Sequence, residues 1–235
     1  MTWSTRNHDD SLSGRMRELM FGDLPLGEWI RLGQGGEPWA SFSAARLRMD
    51  TEPEAARRLL EDVLAMPRLE SRHALQAWQA LRELGIRPPS EQAQQVLGVI
   101  VEVALPGGLD VLGAYRDGTA RYWNHAGAGV VWERPDLSLD RPVQELLAAA
   151  AALCRRIGPW DGPRPRDLPE NYARLSILTP SGLHFGQGPF QDLAADALGA
   201  PTIQAATRLM TALTQSGAAD RPSGSGAPGQ QPQVE

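Results

Sequence analysis

The stretch VLGVIVEVALPGGLDVLGAYRDGTARYWNHAGAGVVWE, residues Val96 to Glu133, decides the fold. Val96–Leu105 is almost wholly apolar and rich in β-branched residues, the composition of a central strand covered on both faces. Pro106-Gly107-Gly108 turns the chain. Leu109–Tyr115 and Thr119–His125 flank Asp117-Gly118, the strongest short hairpin signal. Ala126–Gly129 turns again into Val130-Val131-Trp132-Glu133. The stretch reads as a four-stranded antiparallel meander.

Downstream, Asp140 caps a helix over about 141–157 that carries Val143, Leu146, Leu147, Ala150, Ala151, Cys154 and Ile157 on one stripe, with Gly158 closing it. Trp160–Asn171 is a Pro- and charge-rich loop. Leu175–Leu178 and Leu183–Phe185 form a second hairpin across Pro180-Ser181-Gly182, and helices near 190–198 and 202–215 follow. Upstream, Arg15–Phe21 and Ser43–Arg48 are short helices and Gly33-Gln34-Gly35-Gly36 is a loop. Thr51-Glu52-Pro53-Glu54 reads as a capping box opening a helix with Leu59, Leu60, Val63 and Leu64 inward. A second helix over 70–84, stopped by Gly85 and Pro88-Pro89, completes an αα-hairpin.

The class is α+β: a flexible N-terminus (1–14), a helical region with an αα-hairpin (15–92), an antiparallel sheet domain of order ββββ-α-ββ-αα (93–215), and a Gly/Pro/Ser/Gln-rich tail (216–235) too poor in apolar residues to pack. An antiparallel sheet with helices on one side, in this element order, resembles profilin-like and roadblock-like sensory or scaffold domains. The resemblance is one of element order, and a shared fold does not imply a function.

Composition excludes several classes. All 23 basic residues are arginine, so no lysine is available for a Schiff base, a P-loop or a lipoyl arm. Together with abundant Ala, Gly and Pro, this usage points to a GC-rich bacterial genome. The one cysteine, Cys154, permits no intramolecular disulfide and reads as a small core residue. One Cys and four His argue against a structural metal, and no cofactor motif is present. A net charge of −5 argues against nucleic acid or anionic membrane as a partner. No segment is long and apolar enough to span a bilayer, and Met1–Arg6 lack a signal-peptide core, so a cytoplasmic location is expected.

A two-residue Asp117-Gly118 loop sets the hairpin register, pairing Tyr115 with Ala120 and Val111 with Asn124. A two-residue turn next would place Arg121 opposite Trp132. Alternation then puts Val111, Gly113, Tyr115, Ala120, Tyr122, Asn124 and Val131 on one face, whose small residues let helices approach. Asp110, Leu112, Arg116, Arg121, Trp123, His125, Val130 and Trp132 share the other. This Arg/Trp face is either a surface for a protein partner or small ligand, or the seat on which the N-terminal helices dock. Asp110 opposite His125 is an ion pair or, with Arg121 and His184, an acid–base constellation, to which a metal held by His125, His184 and a carboxylate could be added. Gly186-Gln187-Gly188 before a helix is a strand-to-helix bend or an anion cradle. Glu102, the only charge in its strand, requires a partner, most simply an arginine. The expected function is a non-catalytic binding, regulatory or scaffold domain acting through Arg116, Arg121, Trp123, Trp132 and the 186–188 segment. The alternative is a hydrolase or transferase using Asp110, Arg121, His125 and His184.

Overall fold

The computed structural model describes residues 12–33 and 35–219. Five helices come first: α1 (Leu12–Glu18), α2 (Leu26–Ile30), α3 (Trp39–Arg48), α4 (Pro53–Leu64) and α5 (Ser71–Glu83), followed by the single turn α6 (Ser90–Ala93). Four strands follow: β1 (Gly98–Leu105), β2 (Gly108–Tyr115), β3 (Ala120–Trp123) and β4 (Gly129–Trp132). The chain continues through α7 (Asp140–Cys154), β5 (Tyr172–Thr179), β6 (Gly182–Pro189), α8 (Phe190–Ala195) and α9 (Ala200–Ala219). The expected α+β class and ββββ-α-ββ-αα order are both present. Because α9 runs to Ala219, residues 216–219 of the expected tail are helical. The rest of that tail, residues 1–11 of the expected flexible N-terminus, and Gln34 of the 33–36 loop lie outside the described residues.

The strands form one antiparallel sheet in the order β4-β3-β2-β1-β5-β6. Its register differs from the expected one. Val111 pairs with Trp123 and Ala114 with Ala120, a one-residue shift. The cause is the turn: the Tyr115 N–H donates to the Thr119 carbonyl (2.9 Å), closing a three-residue Arg116-Asp117-Gly118 loop with Gly118 at φ +90°. A loop of this length ends in a left-handed residue that only glycine adopts cheaply. The next turn repeats the device, with the Asn124 N–H on the Ala128 carbonyl (2.8 Å) and Gly127 at φ +83°.

A one-residue slip moves every side chain of a strand to the opposite face. Arg121 and Trp123 therefore join Val111, Gly113 and Tyr115, while Ala120 and Tyr122 join Leu112 and Ala114. The second slip cancels the first in β4, so Trp132 stays on the Leu112 side, opposite Ala120. Both faces become apolar, and helices cover both rather than one. On one face Val99, Val101, Leu112, Ala114, Trp132, Leu175 and Ile177 pack against Val143, Leu146 and Ala150 of α7 and Leu209 and Leu213 of α9. On the other, Leu97, Ile100, Val111, Tyr115 and Leu178 pack against Met20, Trp29, Phe42, Leu60, Leu75, Trp78 and Leu81 of the N-terminal helices.

The N-terminal layer is fastened by polar contacts as well. The buried Tyr115 hydroxyl donates to the Met20 carbonyl (2.7 Å). Gly113 leaves room for the same residue, since a Cβ there would sit 2.5 Å from the Met20 methyl. The Asp117 carboxylate accepts the Ser71 N–H (2.6 Å) and Ser71 Oγ accepts the Asp117 N–H (3.1 Å), so the β2–β3 turn caps α5. At its other end α5 closes in a Schellman motif: the Gly85 N–H reaches Arg82 O (2.9 Å) and the Ile86 N–H reaches Leu81 O (2.9 Å). Two expected caps differ. Pro53 begins α4 behind Glu52, because its missing N–H costs nothing there, so Thr51 makes no capping box. Asp140 is the first residue of α7 rather than its cap, and its carboxylate is held by Arg134 at 2.6 and 2.8 Å.

Glu102 has the arginine partner that its burial requires. It lies opposite Arg174 in the sheet (3.3 Å), and Arg17 of α1 donates to its second oxygen (2.5 Å). Arg174 also donates to the carbonyls of Pro165 (2.7 Å) and Asp167 and to Gln187 Oε1 (2.9 Å), which ties the 155–171 connection down across the sheet.

Gly118→Ala should lower unfolding stability by about 1–3 kcal/mol, read by urea denaturation, because an L-residue at this φ is strained. An unchanged midpoint would mean that the turn does not set the register.

Candidate functional site

The expected Arg/Trp face is divided between two buried layers. Trp123 packs into the N-terminal layer. Arg121 lies there too, donating across the β3–β4 pair to Glu133 (2.7 Å) and approaching Glu70 at 4.0 Å. Trp132 is on the opposite face, 9% exposed, in the core with α7 and α9. Arg116 is exposed at the turn, with its N–H on the Leu97 carbonyl (3.0 Å). These four residues do not form one surface, and the register shift is the reason. The 186–188 segment is also relocated: it lies inside β6, which runs to Pro189, so its backbone belongs to the sheet rather than to an anion cradle.

Asp110 and His125 do meet. Asp110 accepts from the His125 N–H (2.7 Å), lies 2.9 Å from His125 Nδ1, and accepts from the Tyr122 hydroxyl (2.7 Å). Burial alone would raise the Asp110 pKa; the hydrogen bonds from Tyr122 and His125 outweigh it and hold the carboxyl below its usual range. His184 is elsewhere. Four strand spacings separate β3 from β6, about 19 Å at ~4.8 Å each. Arg121 points to the opposite face from Asp110. The proposed acid–base constellation and the metal between the histidines therefore lack convergence. Among the described residues, no group of three His, Cys, Asp or Glu is placed to hold a metal ion.

His184 has its own surroundings. It is fully buried on β6, with Nδ1 3.1 Å from the Ile157 carbonyl and Nε2 3.2 Å from Ser181 Oγ. The carbonyl can only accept, so the proton sits on Nδ1 and Nε2 accepts from Ser181. Burial pushes the imidazole pKa down and keeps the ring neutral.

Ser181 opens onto a cleft of about 560 Å³ at the seam between the helical layer and the end of the sheet. Its walls are the C-terminal half of α5 with Gln79 and Arg82, the Arg87 segment beyond it, the α1–α2 loop from Phe21 to Asp23, residues 159–164, and the β5–β6 turn. Arg82 donates to the Pro180 carbonyl (2.6 Å) and to Gln79 Oε1 (2.6 Å). Burial, and then the charge of Arg87, push its pKa down. Arg164 is held by Asp23 (2.7 Å) and Glu18 (2.6 Å) and lies 3.8 Å over the Phe21 ring. Trp160, 48% exposed, donates from its indole to the Pro163 carbonyl (3.0 Å) and meets the Phe185 ring edge-on at 5.3 Å. A smaller groove of about 340 Å³ lies between α1 and the β1–β2 and β3–β4 turns, with Trp123 and His125 in its wall. Its charged groups are engaged, Arg17 by Glu102 and His125 by Asp110.

Arg82, Arg87, Trp160 and Ser181 were not among the residues picked from sequence. One signal was available: the 155–171 connection exceeds the ~12–15 residues beyond which a structureless loop usually has a function. No family model matches the chain, and no curated protein or solved structure matches it.

A buried histidine whose folded pKa is depressed binds fewer protons than in the unfolded chain, so stability is lost as pH falls below the unfolded value of about 6.5. His184 and His73 are both shifted down, in each case chiefly by burial. Denaturation between pH 7 and pH 5 should show stability falling toward acid, by at most ~1.4 kcal/mol per pH unit for each histidine. His184→Gln should flatten that slope; an unchanged slope would mean His184 is protonated in the folded state.

Proposed function

We propose that this protein is a non-catalytic binding domain, regulatory or scaffolding in role, that seats a small ligand or a short protein segment in the cleft walled by α5, residues 159–164 and the β5–β6 turn. The observation that carries this reading is the cleft itself: its size lies within the 300–1,000 Å³ of ordinary ligand sites, and it forms at the seam of two layers, where such sites concentrate. The residues of the expected Arg/Trp face are divided instead: Trp123 and Arg121 lie under the N-terminal helices, Trp132 lies under α7 and α9, and Arg116 is exposed at a turn. Trp160 replaces Trp132 as the aromatic that meets the ligand.

The alternative, a hydrolase or transferase, keeps one supporting observation, the Ser181–His184 hydrogen bond. A Ser–His pair needs N–H donors for the oxyanion, and the Ser181 N–H is occupied by the Ala93 carbonyl (3.1 Å). Hydrolysis of p-nitrophenyl acetate should be indifferent to Ser181→Ala; a loss of turnover would favour the hydrolase.

The two tryptophans separate binding from packing. Trp132→Ala should cost ~3–5 kcal/mol of stability, as truncating a buried Trp does. Trp160→Ala should leave the melting temperature within a degree or two and weaken a ligand by ~1–3 kcal/mol. Fragment screening by NMR on the ¹⁵N-labelled chain should move the Trp160 and Ser181–Leu183 signals. Shifts confined to the Trp123 groove would displace the site to that groove.

A further inference from the structure

We infer that the cleft takes an organic anion, a carboxylate or phosphate group on an apolar body, clamped by Arg82 and Arg87; this rests on the cleft being the binding site. Among the described residues, the buried and half-buried arginines are ion-paired to carboxylates: Arg17, Arg57, Arg72, Arg121, Arg164 and Arg174. Two depart from this. Arg48 sits on its own helix, donating to the Ala44 carbonyl (3.0 Å). Arg82 donates only to neutral oxygens, those of Pro180 and Gln79.

A cation withdrawn from water without a counter-charge is costly, and a bound anion removes that cost. Arg87 adds a second positive charge on the same wall and has no ion pair among the described residues. The charges of Asp23 and Glu83 act on Arg82, but neither forms an ion pair with it. Asp23 is committed to Arg164, Glu83 is exposed at the end of α5, and Asp161 is exposed on the loop across the cleft. A guanidinium can donate two parallel hydrogen bonds to a pair of carboxylate or phosphate oxygens. The lining is mostly polar, with apolar surface from half-exposed Trp160 and partly exposed Leu183, on which an aromatic or aliphatic body can rest.

The test uses the full ¹⁵N-labelled chain, with the Trp160 indole and Arg82 Nε–H signals as reporters. Phenyl phosphate, benzoate and uncharged benzyl alcohol are titrated separately. The two anions should move both signals at concentrations at least tenfold below benzyl alcohol, and the tighter of them identifies the headgroup. Arg82→Gln should weaken anion binding tenfold or more. That variant also loses the bond to Pro180, so Arg87→Glu, an exposed change that leaves packing intact, is the second arm and should weaken binding at least as much. If benzyl alcohol binds as well as the anions, or anion binding survives both substitutions, the anion assignment falls while the cleft stands. If none of the three probes moves either signal, the cleft itself is not the site.

Discussion

Gly118 closes the β2–β3 hairpin as the third residue of its loop, and that single backbone geometry decides which layer every side chain of β3 meets. Held one residue wider than a two-residue turn, the hairpin sets Trp123 and Arg121 beside Val111 and Gly113, and Ala120 and Tyr122 beside Leu112 and Ala114. Each face then carries an apolar cluster. A sheet apolar on both sides must be covered on both, and α7 with α9 on one face and α1–α5 on the other are the result.

The same turn reaches into the helical layer. Asp117 and Ser71 exchange hydrogen bonds, which fixes the start of α5, and Tyr115 fastens the Met20 carbonyl below α1. The β2–β3 and β5–β6 turns lie at the same end of the sheet, on either side of Gly98, so α5, fixed at its N-terminus by the first, brings its last turn to the second, where Arg82 holds the Pro180 carbonyl. The cleft is the space left where the helix and the sheet end diverge and the 159–164 segment bridges them. Its position thus follows from the hairpin at the far end of α5.

Much of this was readable from the residues. The meander, the αα-hairpin and the strand–helix order follow from periodicity, and Glu102's isolation in an apolar strand announced the arginine that the structure places opposite it. The turn length was not readable. Asp-Gly serves two-residue and three-residue hairpins alike, because both need a residue at positive φ, and only packing on both faces chooses between them. The Asp110–His125 contact was anticipated, although it forms by a carboxylate capping a turn rather than by strand pairing. The cleft was invisible for a different reason: Arg82, Trp160 and Ser181 come from distant parts of the chain, and each looks ordinary alone. An arginine in a helix's last turn complements the helix dipole and needs no further explanation.

What distinguishes these arginines is where their charge is compensated. This chain has no lysine, so every buried cation is a guanidinium with five donors in a fixed plane. Arg174 and Arg164 use that plane to join carboxylates and loop carbonyls, and the long 155–171 connection is held against the sheet by charge where it has little apolar surface to bury. In both, the positive charge is matched inside the protein, and nothing is left for a ligand. Arg82 has the same chemistry and the opposite balance: its donors hold a turn and a glutamine, while its charge has no paired counterpart within the described fold. The position of Arg82 is thereby set by neutral hydrogen bonds, which in the proposed site leaves its electrostatic attraction available for an anion. That separation of positioning from charge is what a preorganised anion site requires.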